Sequence, residues 1–336
     1  MKCKYILFFI ILLTACQENR QVDISFYYWK TVYKANKQET SYLNSFKSKK
    51  LYVRIMDVDN QNQNPVPIAP ISFVDQIPKP FEIVPVVFIV NNVLKGKSQA
   101  QLKRLAQNIS GFVKDRVGQS GKGTFKELQI DCDWTETTKE NYFYFLGEIV
   151  ALEKGRLISV TLRLHQLKNQ VKSGIPPVDK VLLMCYNMGN LREYGNQNSI
   201  LDVAELKKYA GQNLNDYPMD IDVGLPLFSW SVVFDNRAYA GISKRVKVAD
   251  LKNPLLFDAL NNGLYRAKTE LPAFGIRRNW EVRFEESRIE SLKEIAAYLS
   301  SHLSKKPINL VYYHLDEELL KNYPIHELEK VNHIFY

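Results

Sequence analysis

The sequence predicts an α/β protein of the (β/α)₈ TIM barrel class, with an insertion between the seventh and eighth strands. Eight strand-like runs recur along the chain, and most are separated by helix-like runs whose apolar residues are spaced by three or four. The length of 336 residues fits one such domain with insertions. A content of 46% hydrophobic and 24% charged residues excludes disordered and fibrous classes.

The elements alternate along the chain in the order that a barrel requires. The predicted strands are Ile24–Lys30, Leu51–Asp59, Ile83–Asn91, Phe125–Thr135, Leu157–Leu167, Val178–Asn187, Met219–Trp230 and Ile308–Leu315. The predicted helices are Gln99–Val117, Lys139–Leu152, Asp202–Gln212, Ser287–Leu303 and Glu317–Val331. The widest gap, about residues 231–306, is predicted as the insertion, with extra strands within 267–284. The interpretation is a single barrel domain over residues 16–336.

Residues 1–15 predict a signal peptide of the lipoprotein type. A basic start is followed by the apolar run Ile6–Leu13, which is too short to span a bilayer. The run ends Leu13-Thr14-Ala15-Cys16, which resembles a lipobox whose cysteine, here Cys16, is lipidated by acylation. An ordinary signal peptide with a chance cysteine is the alternative. The favoured interpretation predicts a protein of the bacterial cell envelope, anchored to a membrane through its N-terminal lipid.

The positive charge does not predict a nucleic-acid partner. Cleavage would remove Lys2 and Lys4, so the formal net charge would fall from +9 to +7. The remaining basic residues are scattered, with the densest group at Lys47, Lys49 and Lys50, and no predicted helix carries a basic stripe.

The sequence predicts no cofactor and no metal. It contains no glycine-rich phosphate loop, no His-x-x-x-His pair and no cysteine cluster. Of the four cysteines, Cys132 and Cys185 would remain as free thiols, so structural disulfides are not expected.

The fourth predicted strand carries the candidate chemistry. Its apolar members are Leu128, Ile130, Cys132 and Trp134, and its polar members are Glu127, Gln129, Asp131, Asp133 and Thr135. Because side chains alternate along a strand, Asp131 and Asp133 are expected to point into the barrel. Two buried carboxylates need partners, a shared proton or a ligand, and at the C-terminal end of a barrel strand they are candidate catalytic residues. The alternative is a structural pair satisfied by arginine or backbone.

The neighbouring strands add candidate binding residues. Arg163 and His165 are predicted on the polar face of strand five, where they can neutralise the Asp pair. His165 can also act as a proton carrier or a substrate donor, or be merely structural. Asp57 and Asp59 end strand two and can bind sugar hydroxyls or pair with Arg54.

Residues 128–136 (LQIDCDWTE) resemble the D-x-x-D-x-D-x-E motif of glycoside hydrolase family 18, the chitinase-like barrels. Asp131 and Asp133 match its second and third Asp. The first Asp falls on Leu128 and the catalytic Glu on Thr135, while Glu136 stands one residue late.

Two further segments match this family in the same order. Residues 178–187 (VDKVLLMCYN) match its sixth strand, with Tyr186 in place and Asn187 where Asp is usual. Residues 223–228 (VGLPLF) match its seventh strand. The chain from Cys16 onward also resembles an uncharacterised family of bacterial lipoproteins with chitinase-like barrels, through its LYVRIMDVD and VPVVFIVN stretches.

The resemblance implies substrate-assisted hydrolysis, in which the N-acetyl group of the substrate attacks the sugar carbon. It assigns Asp133 to orienting the acetamide, Asp131 to supporting Asp133, and Tyr186 to holding the acetamide carbonyl. Glu136 can serve as the acid only if a bulge or the loop re-aims it; otherwise Thr135 occupies the place and the acid is lost.

Aromatic residues at strand ends can stack on sugars, and Trp29 and Trp230 are the candidates for the rim, although most such residues belong to the core. Predicted substrate contacts are Asp57, Arg163, His165, Asn187, Trp29 and Trp230. The leading hypothesis is a membrane-anchored glycosidase acting on a glycan that contains N-acetylhexosamine. The alternatives are a glycan-binding barrel that has lost catalysis and an envelope scaffold.

Overall fold

The computed structural model describes residues 20–211 and 213–336, so the predicted signal peptide and the predicted lipidation site at Cys16 lie outside the described residues. Eight parallel strands form a closed barrel, because the first strand pairs with both the second and the eighth. The predicted (β/α)₈ class is confirmed. The barrel strands are β1 Val22–Tyr28, β2 Lys50–Gln61, β3 Glu82–Ile89, β4 Glu127–Asp131, β5 Leu157–Leu162, β6 Lys180–Met184, β7 Asp220–Pro226 and β8 Ile308–Tyr313.

Helices cover the outside of the barrel. The longest is α2, which begins with a capping box between Ser98 and Gln101 and buries one apolar stripe that includes Leu102 and Ile109. The helices are α1 Lys37–Ser45, α2 Gln99–Gln119, α3 Lys139–Leu152, α4 Leu164–Lys168, α5 Gln170–Ser173, α6 Val203–Tyr209, α7 Asn213–Asp216, α8 Val248–Leu251, α9 Ile289–His302, α10 Glu317–Leu320 and α11 Ile325–His333, with 3₁₀ turns at Asn91–Leu94 and Pro272–Phe274. Among the described residues, none of the helices combines the length and apolarity needed to cross a membrane.

Between β7 and α9 the chain forms a five-stranded antiparallel sheet, called here the insertion sheet. Its strands are Ser229–Asp235, Ala238–Ser243, Phe257–Ala259, Tyr265–Ala267 and Glu281–Glu286. A small core of its own includes Val233, Phe257 and Val282. The predicted seventh strand was therefore too long: β7 ends at Pro226, and Trp230 belongs to the insertion sheet.

Other predicted strands were also too long at their C-terminal ends. β4 ends at Asp131, β6 ends at Met184, and β5 ends at Leu162, after which the chain turns into α4. The Gln166 side chain accepts a hydrogen bond from the Arg163 backbone N–H at 2.8 Å and stabilises that turn. The last polar residues of these three predicted strands consequently lie beyond the strand ends.

The barrel interior carries a buried polar network at its N-terminal end. The Glu127 carboxylate, 1% exposed, pairs with Lys50 at 2.7 Å and Lys180 at 3.2 Å. It also accepts hydrogen bonds from Tyr52 at 3.2 Å and Ser159 at 2.8 Å. These partners satisfy a carboxylate that would otherwise be costly to bury, so this end of the barrel is closed by structural interactions.

Candidate functional site

Asp131 ends β4 at the barrel mouth and is buried, with an exposed fraction of 7%. The Thr161 hydroxyl of β5 donates a hydrogen bond to its carboxylate at 2.6 Å. Burial raises the pKa of Asp131 from 3.8 to about 7, and the nearby charge of Asp133 adds to the effect. The Asp131 carboxyl group is therefore only partly ionised near neutral pH.

Asp133 lies just beyond β4 and is paired with Arg163. The guanidinium donates two parallel hydrogen bonds, from Nε at 2.6 Å and from Nη2 at 2.7 Å. The Asp133 side chain is 42% exposed and that of Arg163 is 22% exposed, so the pair faces the open mouth. A bidentate arginine holds a carboxylate in one orientation and donates one hydrogen bond to each of its two oxygens.

The motif position at which the chitinase-like family carries its catalytic Glu lies here in a threonine-rich turn. Thr135 is exposed, and its backbone N–H donates to the Thr138 hydroxyl at 3.0 Å. The Thr138 hydroxyl donates to Asn91 at 2.6 Å, which ties the turn to the loop after β3. Glu136 is exposed in this turn, and its side chain makes no hydrogen bond or ion pair with any of residues 20–211 and 213–336.

A cluster of aromatic rings lies at the mouth beside Asp131. Tyr186, which follows β6, is buried and stacks on Tyr313 of β8 with ring centroids 5.2 Å apart. Trp29 is partly exposed and contacts Tyr313 at 5.5 Å and Tyr27 at 5.7 Å. Burial raises the pKa of Tyr186 well above its ordinary value, and the Asp131 charge acts in the same direction. Its hydroxyl therefore stays protonated and can donate to a ligand.

The predicted contacts Asp57 and Trp230 lie on β2 and on the first strand of the insertion sheet. Asp57 pairs with Arg54 at 2.6 Å. Of the two predicted alternatives for this carboxylate, binding of sugar hydroxyls or pairing with Arg54, the structure shows the ion pair. Trp230 is partly exposed, and its indole N–H donates to Glu285 at 2.9 Å. Both predicted rim tryptophans, Trp29 and Trp230, thus keep part of their surface in contact with solvent.

The prediction that His165 lies on a strand facing the aspartates was wrong. Because β5 ends at Leu162, His165 lies in α4 and is exposed. Partial desolvation of its ring and the positive charge of Arg163 lower the pKa of His165, so the neutral form predominates at pH 7. Asn187 is also exposed and has a left-handed backbone, with φ of 54°.

A small cavity joins several of the predicted residues. It has a volume of about 90 Å³ and lies between Arg163, His165, Tyr186 and Asn187, with Tyr209 beside them. Typical ligand pockets are roughly 300–1,000 Å³, so this part of the mouth is a shallow polar depression. Within residues 20–211 and 213–336, no group of three or more His, Cys, Asp or Glu side chains is arranged to hold a metal ion.

The sequence analysis did not identify Glu285, which accepts the hydrogen bond from the Trp230 indole N–H. Glu285 alternates with Val282 and Phe284 along the last insertion strand, a pattern that was visible in the sequence. No local signal could connect it to Trp230, because the two residues are 55 positions apart and meet only through strand pairing.

No protein-family model and no curated protein matches this chain. Among solved structures, it is similar to the spore cortex-lytic enzyme SleL of Bacillus cereus, with a TM-score of 0.54 and 14% identity over 95% of this chain and 75% of that one. SleL of Bacillus megaterium gives a TM-score of 0.53 and 14% identity over 94% and 75% of the two chains. A chitinase from Bacteroides thetaiotaomicron gives 0.51 and 11% identity over 94% and 96%.

These likenesses show the fold, which is the closed eight-stranded barrel of chitinase-like proteins. The predicted resemblance to glycoside hydrolase family 18 is thus confirmed at the level of fold. Membership of a lipoprotein family stays a prediction.

Proposed function

We propose that this protein is a glycan-binding barrel of the bacterial cell envelope, which recognises a glycan containing N-acetylhexosamine and does not cleave it by the substrate-assisted route. The observation that carries this proposal is the state of the acid position. Thr135 stands where the family places its acid, and Glu136 is exposed on the turn beyond it without a partner among the described residues.

The mouth has the chemistry of a sugar-binding surface. Partly exposed Trp29 and Trp230 offer aromatic faces for sugar C–H groups. Arg163, which pairs with Asp133, and Tyr186 line the same small cavity, and their polar groups can exchange hydrogen bonds with hydroxyl and acetamide groups. Binding of this kind requires no proton donor at the glycosidic oxygen.

The geometry of Asp133 also favours binding over hydrolysis. In substrate-assisted hydrolysis a carboxylate stabilises the positive charge that develops on the acetamide, and a cation already paired with that carboxylate weakens this stabilisation. Asp133 holds Arg163 through both oxygens, at 2.6 and 2.7 Å. The Arg163 charge therefore offsets the negative charge that hydrolysis would need at this position.

Hydrolysis with Glu136 as the acid is the second candidate, and one observation favours it. The Glu136 side chain is unpaired within the described ranges and belongs to a turn one residue past the family position, so a change of its rotamer or of the turn can bring it toward the mouth. Asp131, with a pKa of about 7, would supply the neighbouring neutral carboxyl.

The location is part of the proposal. The lipobox-like run that ends at Cys16 supports acylation of that cysteine and attachment of the barrel to a membrane of the envelope. Mass spectrometry of the protein purified from bacterial membranes tests this: a diacylglyceryl mass on a chain beginning at Cys16 is expected, and an unmodified chain would contradict it.

A panel of chitin oligosaccharides, peptidoglycan fragments and N-glycans tests the glycan function. Calorimetry measures binding, and mass spectrometry of the supernatant measures cleavage. Binding without product is expected, with affinity lost in Trp29→Ala. Products that vanish in Glu136→Gln and Asp133→Asn, but persist in Glu140→Gln, would establish hydrolysis instead. Glu140 is an exposed glutamate four positions further on, at the start of α3, and serves as the matched control.

A further inference from the structure

Glu285 has no role in the function proposed above, yet it lies at the centre of a buried hydrogen-bond network. Its exposed fraction is 1%. Its Oε2 accepts from the Trp230 indole N–H at 2.9 Å, from the Ser199 backbone N–H at 2.9 Å and from the Ser199 hydroxyl at 2.5 Å. One carboxylate oxygen therefore joins the insertion sheet to the loop after β6, residues 185–202, called here the β6 loop.

Arg283 holds the other side of the carboxylate. Its Nε donates to Glu285 Oε1 at 2.6 Å, and its side chain is 2% exposed. Its remaining N–H groups donate to three carbonyl oxygens of the β6 loop, at distances of 2.6 to 3.1 Å. These carbonyls belong to Leu191, Glu193 and Gly195. The buried ion pair thus orients Glu285 and fastens the loop at the same time.

Trp230 connects this network to the mouth. Its ring packs on Phe228 with centroids 5.2 Å apart. Phe228 in turn contacts Tyr313 at 5.7 Å and Tyr186 at 6.3 Å. The ring that Glu285 holds is therefore continuous with the aromatic cluster beside Asp131.

We propose that Glu285 is a positioning residue that fixes the Trp230 ring and the β6 loop together as one wall of the glycan site. This inference rests on the proposed function, because it makes Trp230 a sugar-stacking face. An indole can rotate about its side-chain bonds, and a hydrogen bond to a buried, immobilised carboxylate selects one orientation. The selected orientation determines which sugar face the wall accepts.

The first test observes the ring without any ligand. In the full chain labelled with ¹⁵N-tryptophan, the indole N–H of Trp230 should exchange with solvent at least tenfold more slowly than that of Trp280. Trp280 is a partly exposed tryptophan of the same insertion, whose Nε1 has no hydrogen-bond partner within residues 20–211 and 213–336. Equal exchange rates at the two indoles would overturn the proposal, whatever the protein binds.

The second test measures binding in Trp230→Phe, which keeps an aromatic face and leaves Glu285 paired with Arg283. We expect affinity for the bound oligosaccharide to fall about tenfold, while Trp280→Phe keeps the wild-type affinity. Glu285→Gln should shift the NMR signal of the Trp230 indole N–H. A glutamine amide has only one acceptor oxygen, so it cannot accept from Arg283 on one side and from Trp230 on the other. Wild-type affinity in Trp230→Phe would overturn the positioning role while the proposed function stands. If the wild-type protein binds no glycan, the proposed function fails, and the exchange measurement still decides whether Glu285 holds the ring.

Discussion

Replacing Asp131 with asparagine should make the protein more stable at pH 8 and leave its stability almost unchanged near pH 4. Asparagine has nearly the same shape and can still accept the hydrogen bond from Thr161, which lies at 2.6 Å in the wild-type protein. It removes only the ionisable proton. The comparison therefore isolates the free energy of ionising this buried group.

The magnitude follows from the pKa of Asp131, which burial raises from 3.8 to about 7 in the folded state. Because this folded-state pKa is raised, the folded state binds the extra proton, and stability falls as the pH rises from about 4 to about 7. Each factor of ten in the proton equilibrium is worth about 1.4 kcal/mol, so the ionised carboxylate costs the fold about 4 kcal/mol at pH 8. The asparagine variant avoids this cost.

Urea unfolding of both proteins at pH 4, 6 and 8 measures the effect. The stability difference should be about 0.6 kcal/mol at pH 4, about 3 kcal/mol at pH 6 and about 4 kcal/mol at pH 8. Asp220→Asn is the control, since that side chain is 59% exposed at the opposite end of the barrel and should change stability by less than about 0.5 kcal/mol. A difference that does not vary with pH would refute the assignment of the raised pKa to Asp131.

Three further outcomes follow from other groups of the fold. Glu127→Gln should destabilise the protein by about 3–5 kcal/mol at pH 7, because it breaks a buried ion pair. The pKa of Glu127 is lowered in the folded protein, so the stability that its carboxylate contributes is lost as the pH falls below about 4.5. Chemical denaturation at pH 7 and pH 4 measures the loss, and a larger effect at pH 4 would contradict the sign. Ser98→Ala should cost about 1 kcal/mol in the same assay by removing the side-chain cap of α2, and an unchanged midpoint would contradict that role. Cys132 and Cys185 are buried thiols with raised pKa values, so a thiol reagent at pH 8 should label them only after unfolding; labelling of the folded protein would contradict their burial.

The parts of the fold that the sequence predicted well depend on local periodicity. The alternation along β4 predicted inward Glu127, Gln129 and Asp131, and the structure places them inside the barrel with partners from neighbouring strands. The spacing of apolar residues predicted α2 to within two residues at its C-terminal end. The repeat of the side-chain pattern alone determines which face of the strand or helix is buried, so no tertiary information was needed.

The errors arose where tertiary contacts end an element. No glycine or proline separates Leu162 from His165, so the pattern extended strand five past its true end and misplaced the histidine. The turn there is stabilised by the Gln166 side chain, which a period-two pattern does not reveal. The contact between Trp230 and Glu285 depends on a strand pairing across 55 residues, which residue spacing cannot encode.

The ion pairs at the mouth have a consequence for how the protein meets its ligand. Arg163 is neutralised by Asp133 and Arg54 by Asp57, while Asp131 is only partly ionised near pH 7. The centre of the mouth is therefore almost electroneutral, although the whole chain carries a formal charge of +9. Ligand association there should depend weakly on ionic strength, since salt screens net charge and leaves stacking and short hydrogen bonds largely intact. Long-range electrostatic attraction of a ligand would then come from the surrounding surface. The mouth itself would discriminate between ligands by their shape.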